Sequence, residues 1–199
     1  MFIQQYKLKT VNMSNLDTSN VTDMSLMFDD CSSLQSISFK GLNLSKVKNM
    51  CAIFEGCRAL KSVDFTGVNT KSLTDMSFMF NDCRNLKEID MTSFNTEKVT
   101  AMYYMFQYCI SLKNVKLQSF NTSKVTEMQS MFSECKSLQA LDLSNFNIEK
   151  VTNIQCMFYG CRELKNIYVN SSWNTDHIGS YEKIGLFDGC GVDHVTVKK

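Results

Sequence analysis

The chain has 199 residues, 44% hydrophobic and 21% charged, with a formal net charge of +1. That balance is ordinary for a folded protein, and basic residues spread through the chain among nearly equal numbers of acids argue against a nucleic-acid partner. No run of about 18 apolar residues occurs, which excludes insertion of a hydrophobic helix into a membrane, and residues 1–20 hold no apolar core with a small-residue cleavage site, so no secretory leader is expected.

Most of the chain is one repeat of 26 residues. Copies run over residues 16–41, 42–67, 68–93, 94–119, 120–145 and 146–171 without insertion or deletion, and Cys31, Cys57, Cys83, Cys109, Cys135 and Cys161 hold the phase. Each of these cysteines has Phe three places before it and Leu three places after it. An unbroken period of this length predicts a solenoid, in which each coil is stabilised mainly by its neighbours.

Residues 1–15 read as half a repeat. Met1 and Phe2 fall on the Met-Phe position and Gln5 replaces the marker cysteine, while Leu8, Val11, Met13 and Leu16 take the slots of Leu34, Ile37, Phe39 and Leu42. Solenoid ends normally carry a polar cap, so this opening is expected to be the interior of a longer array. Within each repeat, spacing such as Leu112, Val115, Leu117, Phe120 and Asn121 puts Val115 and Leu117 on one face of a short strand. Val11/Met13, Ile37/Phe39, Val63/Phe65, Ile89/Met91, Leu141/Leu143 and Ile167/Val169 repeat that pair, which predicts one parallel strand per coil.

The other half of the repeat predicts a short helix or two helical turns on the outer side, because Val125, Met128, Met131 and Phe132 recur at intervals of three and four. Thr126 and its counterparts Thr22, Thr74, Thr100 and Thr152 are the expected caps, and Lys48 breaks the series. Asn43, Asn69, Asn95, Asn121 and Asn147, with Asp17 and Asn174 at the ends, read as an asparagine ladder joining coil to coil. After residue 171 the register slips. Trp173-Asn174-Thr175 answers Phe-Asn-Thr, Leu186-Phe187 answers Met-Phe, and Cys190 follows Cys161 by 29 residues. Val195 and Val197, followed by Lys198 and Lys199, are read as a last strand, so residues 172–199 form a degenerate capping repeat of the same single solenoid domain.

The block L-x-x-L-x-L-x-x-F-N followed by V-T-x-M-x-x-M-F-x-x-C resembles the 26-residue repeat of BspA-like leucine-rich-repeat surface proteins, closely as far as residue 171 and loosely beyond it. The resemblance implies an α/β solenoid, a leucine-rich-repeat-like right-handed stack with one short parallel strand per coil on the concave face and short helices on the convex face. It implies a non-enzymatic surface protein or lipoprotein ectodomain used in adhesion, with a protein or glycan partner on a host or neighbouring cell. The chain is read as a monomer without cofactor or metal.

The seven cysteines of the repeat position, Cys190 included, are expected to be small apolar filler, because free cysteine is among the most buried residue types. Cys51 and Cys156 lie off that column. Zinc-type two-residue spacings are absent. His177, Cys190 and His194 in the last repeat define an alternative, a Cys/His thiol enzyme, and a reducing intracellular interaction scaffold is a third reading. Binding is better supported, because residues between the core pairs line up on the open strand face and vary while the core does not. The candidate partner-binding residues there are Asp64, Glu88, Asp90, Asn114, Lys116, Asp142, Asn166 and Tyr168, with Trp173 as a second aromatic anchor beside Tyr168.

Overall fold

A computed structural model describes residues 2–198; the readings placed on Met1 and Lys199 lie outside the described residues. Seven of the expected strands form: β1 (Ser36–Ser38), β2 (Ser62–Asp64), β3 (Glu88–Asp90), β4 (Asn114–Lys116), β5 (Ala140–Leu143), β6 (Asn166–Val169) and β7 (Thr196–Val197); the one expected at Val11/Met13 is reduced to a single parallel bridge between Thr10 and Ser36. Pairing is parallel and one repeat apart, with Ile37 beside Val63, Ile89 beside Val115 and Leu141 beside Ile167. The chain is therefore a parallel β-solenoid. Strand β7 joins β6 through Tyr168 opposite Thr196 and Val169 opposite Val197. Along β1 and β3 the central isoleucine is buried and both flanking side chains are exposed, as the period of two requires. The strand ladder breaks between β2 and β3 and between β4 and β5, leaving sheets of two, two and three strands.

The outer half is not helical, which corrects the expectation of helices on the convex face. Among the described residues the one helical element is a single 3-10 turn, Tyr181–Lys183. In residues 24–31 the N–H groups of Met27, Asp29 and Cys31 donate to the carbonyls of Met24, Leu26 and Phe28, closing successive turns. The intervening N–H groups of Met24, Leu26, Phe28 and Asp30 donate instead to Asn49, Cys51, Ile53 and Glu55 of the next coil. Half the amides close turns and half tie coils together. Each such run holds two residues, four apart, at positive φ, among them Phe78 and Asp82, and Tyr104 and Tyr108; an α-helix has no place for them. Consecutive turns bring in every third or fourth side chain, as a helix does, so Met128, Met131 and Phe132 are buried as expected on a different backbone. A row of parallel bridges from Asp23 through Asn49, Asp75, Ala101 and Glu127 to Asn153 runs unbroken along this side.

Two polar columns also differ from expectation. Thr74, Thr126 and Thr152 cap no helix: their hydroxyls donate to the backbone carbonyls of Lys48, Thr100 and Thr126 in the preceding coil, at 2.8, 3.3 and 3.1 Å. The asparagines do not join coils through their side chains. Oδ1 of Asn43, Asn69, Asn95, Asn121, Asn147 and Asn174 accepts the N–H two residues on, closing a turn in its own coil, and Asp17 does the same with Ser19. That job needs only an acceptor, so an aspartate performs it equally well. The bridge between coils is the next residue. Oγ1 of Thr96 donates to Asn121 O at 3.0 Å and accepts Asn121 N–H at 2.8 Å, and Thr122 treats Asn147 in the same way. Both threonines are almost fully buried.

Inside, Phe2, Phe28, Phe54, Phe80, Phe106, Phe132, Phe158 and Phe187 form one stack, with ring centroids 5.4 to 6.1 Å apart. The slipped last coil keeps its place in that stack through Phe187. Beside it runs a thiol column that is more than filler. Cys57, Cys83, Cys109, Cys135 and Cys161 each donate S–H to a phenylalanine carbonyl of the preceding coil, at 3.0 to 3.2 Å. Each accepting carbonyl also takes an N–H from its own coil's cysteine, so both lone pairs are used.

Candidate functional site

Parallel register stacks the outward residues of β1–β6 into two columns, and the predicted residues occupy them. Ser62, Glu88 and Asn114 lie in one column, followed by half-buried Asn166; Asp64, Asp90, Lys116, Asp142 and Tyr168 lie in the other. A cleft of about 320 Å³ opens where the ladder breaks between β2 and β3, lined by Ser62, Val63, Glu88, Ile89, Asp90, Asn114 and Lys116. Lys116 Nζ reaches Asp90 Oδ2 at 2.8 Å across the β3–β4 pair. The hydrogen bond from Lys116, with those from Thr92, holds the Asp90 carboxyl down at about 2, and Asp90 in turn raises Lys116.

The aspartates of this face also have a local task. Asp64, Asp90 and Asp142 accept the N–H of Thr66, Thr92 and Ser144, closing the turn after each strand at 2.9, 3.0 and 3.1 Å. Folding therefore fixes an acceptor at these positions, whereas Glu88, Asn114 and Lys116 carry no such bond to the backbone. The Thr66 amide is the chief cause of the lowered Asp64 carboxyl. For Asp142 burial pushes upward, but hydrogen bonds from Lys198 and Ser144 outweigh it and the net direction is down. Lys198 comes from the last coil and spans Tyr168 to reach Asp142 Oδ2 at 2.8 Å. Tyr168 is thus half-buried between Asp142 and Thr196. Trp173 lies beyond β6, outside the two strand-face columns, and packs partly buried against the core.

Among the described residues the last repeat brings no cysteine and histidine into a hydrogen bond. His177 Nε2 lies 3.1 and 3.0 Å from the carbonyls of Ile148 and Val151, and His194 Nδ1 is 2.6 Å from Asp193 Oδ1. Cys190 bonds to neither imidazole, and burial pushes its thiol up, opposite to the shift that activates a nucleophile. Among the described residues no group of three or more His, Cys, Asp or Glu side chains is placed to hold a metal ion, and no helix is long and apolar enough to cross a membrane.

Two surface clusters lay outside the sequence reading. Phe78, Tyr103 and Tyr104 pack on the turn side, with Phe78 stacked on Tyr104 at 4.9 Å and edge-on to Tyr103 at 5.3 Å. Arg58 and Arg84 grip one carboxylate, Asp82, at 2.7 and 2.6 Å. Nothing in a single repeat signals either cluster, because each joins residues a full coil apart.

A parallel solenoid of short coils with a polar strand face defines a repeat protein of the leucine-rich-repeat type. More particularly, the chain belongs to the family described as "Mycoplasma protein of unknown function, DUF285", whose model matches residues 1–89 and 74–190. The likeness to bacterial leucine-rich-repeat surface proteins read from the repeats is borne out. No curated protein matches the chain. Among solved structures, a leucine-rich-repeat protein of T. pallidum aligns at 23% identity and a TM-score of 0.39, over 80% of this chain and 56% of that one. A leucine-rich cell-surface protein of Faecalibacterium prausnitzii aligns at 18% and 0.47, over 100% of this chain and 62% of that one. A leucine-rich-repeat protein of Eubacterium ventriosum aligns at 15% and 0.35, over 82% and 32%. The chain thus spans less than two thirds of each of these proteins.

Proposed function

We propose that the chain is a non-enzymatic binding module that engages a protein partner through its strand face and is displayed on a cell surface. The observation that carries this reading is the cleft at the β2–β3 break, where Glu88 and Asn114 present a carboxylate and an amide beside the exposed Lys116–Asp90 ion pair. Opposite charges on neighbouring rungs, Asp90 and Asp142 around Lys116, suit a partner with its own alternating charges, since complementarity sets specificity and encounter rate. Display on a cell surface follows the BspA-like repeat pattern, and the F. prausnitzii structure bears the description of a cell-surface protein. A second reading, an interaction scaffold in a reducing interior, has one observation in its favour: all nine cysteines are free thiols.

The test is binding of the labelled protein to intact host or neighbouring cells, before and after mild proteolysis of those cells. Asp90→Asn, Lys116→Met and Asp142→Asn are combined, because asparagine keeps the turn-closing acceptor while removing the charge. Loss of protease-sensitive binding with unchanged melting supports the strand face. Full binding by the triple variant, or none by the parent, overturns it. Protease shaving of the native cells then separates surface display from the scaffold reading.

A further inference from the structure

The lysines that look scattered in sequence are gathered by the 26-residue register. Position by position, Lys9, Gln35, Lys61, Lys87, Lys113, Gln139 and Lys165 form one column at the corner where each coil enters its strand. Backbone bonds fix the alignment within the strand pairs: Gln35 N–H donates to Lys9 O, Lys61 to Gln35, Lys113 to Lys87 and Lys165 to Gln139, at 2.8 to 2.9 Å; across the ladder breaks, from Lys61 to Lys87 and from Lys113 to Gln139, the 26-residue repeat carries the column. Side chains on bonded neighbours start about 5 Å apart. Lys61, Lys87 and Lys113 occupy three consecutive coils, all exposed, and none forms an ion pair among the described residues.

Like charges on adjacent rungs oppose folding. Glutamine stands at the same position in two coils, so the scaffold does not need lysine there. Three residues earlier, a second column holds Arg58, Arg84, Lys136 and Arg162. The first two are occupied by Asp82 and the third by Glu134, whereas Arg162 forms no ion pair among the described residues. Between the two columns and on the strand side of the lysines the acids are Glu88 and Glu163, whereas on the far side Asp29, Asp30, Glu55 and Asp82 surround Arg58 and Arg84, so the lysine column is the free cationic edge.

We infer that this edge is a second binding surface, distinct from the strand face, and that it takes a linear anionic polysaccharide lying along the solenoid axis. An extended glycan with a sulfate or carboxylate on each ring repeats its charge at close to one coil. Point-charge ammonium groups on flexible stems track such a ligand without a fixed fork geometry. A single-stranded nucleic acid is disfavoured, because it needs aromatic side chains interleaved with the basic ones. Residues 58–62 and their counterparts at 84–88, 110–114, 136–140 and 162–166 contain no aromatic side chain; Tyr6, at the first coil, is the one aromatic of the series and interleaves with no lysine of the central three coils.

The test uses heparin as the polysaccharide, with the parent, the triple Lys61→Gln, Lys87→Gln, Lys113→Gln, and a charge-matched triple Lys98→Gln, Lys124→Gln, Lys150→Gln from another exposed lysine column. Glutamine at its native places, Gln35 and Gln139, makes retention of the fold the expectation, checked by coincident melting curves. The parent binds at physiological salt; the first triple loses at least about tenfold in affinity and has a flatter salt dependence, while the second stays within about twofold. Equal losses in both triples, or no binding by the parent, overturn the inference. So does tighter binding to an oligonucleotide or to anionic phospholipid vesicles that the first triple also abolishes, which reassigns the edge to that ligand.

Discussion

Replacing Thr122 by valine tests how the coils are joined. The Thr122 hydroxyl is 1% exposed; it donates to Asn147 O and accepts Asn147 N–H, each at 2.8 Å. Valine keeps the shape and deletes both bonds, leaving a backbone donor and an acceptor of the next coil without their partner. A buried unsatisfied group costs 1–3 kcal/mol, but Asn147 is only half-buried and the added methyl recovers some apolar contact, so the net cost is about 2 kcal/mol. At a factor of ten for each 1.4 kcal/mol, the folding constant falls about thirtyfold. The control is Asn121→Ala, which deletes one bond within a coil, to Ser123 N–H at 3.1 Å, and costs about 1 kcal/mol or less. Equilibrium unfolding in urea reads both, with the slope m showing whether unfolding stays cooperative. A Thr122→Val midpoint equal to the parent's, or a larger loss for Asn121→Ala, refutes the threonine bridge.

Further outcomes follow from the same geometry. Phe106→Ala removes the middle of the phenylalanine stack, between Phe80 at 5.5 Å and Phe132 at 5.6 Å, and should cost about 3–5 kcal/mol in the same unfolding assay. Timed labelling of native protein with a thiol reagent should modify Cys51, Cys156 and Cys190 and spare the six buried thiols until denaturant is added; burial is the chief cause that pushes Cys161 up to about 12. Lys116→Met should move the Asp90 carboxyl up from about 2 toward the ordinary aspartate range, read by carboxyl NMR titration. Because Asp90 titrates lower in the folded than in the unfolded chain, its small contribution is complete above the unfolded value and is lost as pH falls from about 4 to about 2.

The strands and their register were legible because two signals agreed: apolar alternation within Ile89–Met91 and its copies, and a 26-residue phase carried by Cys and Phe. The turn side was not. Val125, Met128, Met131 and Phe132 have helical spacing because three-residue turns also bury every third or fourth side chain. The residue type that would have separated the two, glycine at the left-handed positions, stands at Gly56 and Gly160 but is replaced by Phe78, Tyr104, Ser130 and others elsewhere. The asparagine column was visible and its partner was not: a turn-closing Asn and a bridging Thr sit side by side, and sequence does not say which side chain points inward. At the strand face the columns were placed correctly, yet the turn-closing task of Asp64, Asp90 and Asp142 was hidden, because an aspartate looks the same whether it accepts a local amide or meets a partner. Trp173 follows β6 and packs partly on the core, a burial that its aromatic character alone did not reveal.

The most direct measurement of the fold that carries these surfaces is far-ultraviolet circular dichroism of the folded protein, supported by its amide I infrared band. A solenoid of parallel strands and stacked turns gives a β and turn signature with almost no helical component. A helical share corresponding to one helix in every coil would contradict the ladder of turns, and with it the register that aligns the strand face and the lysine column.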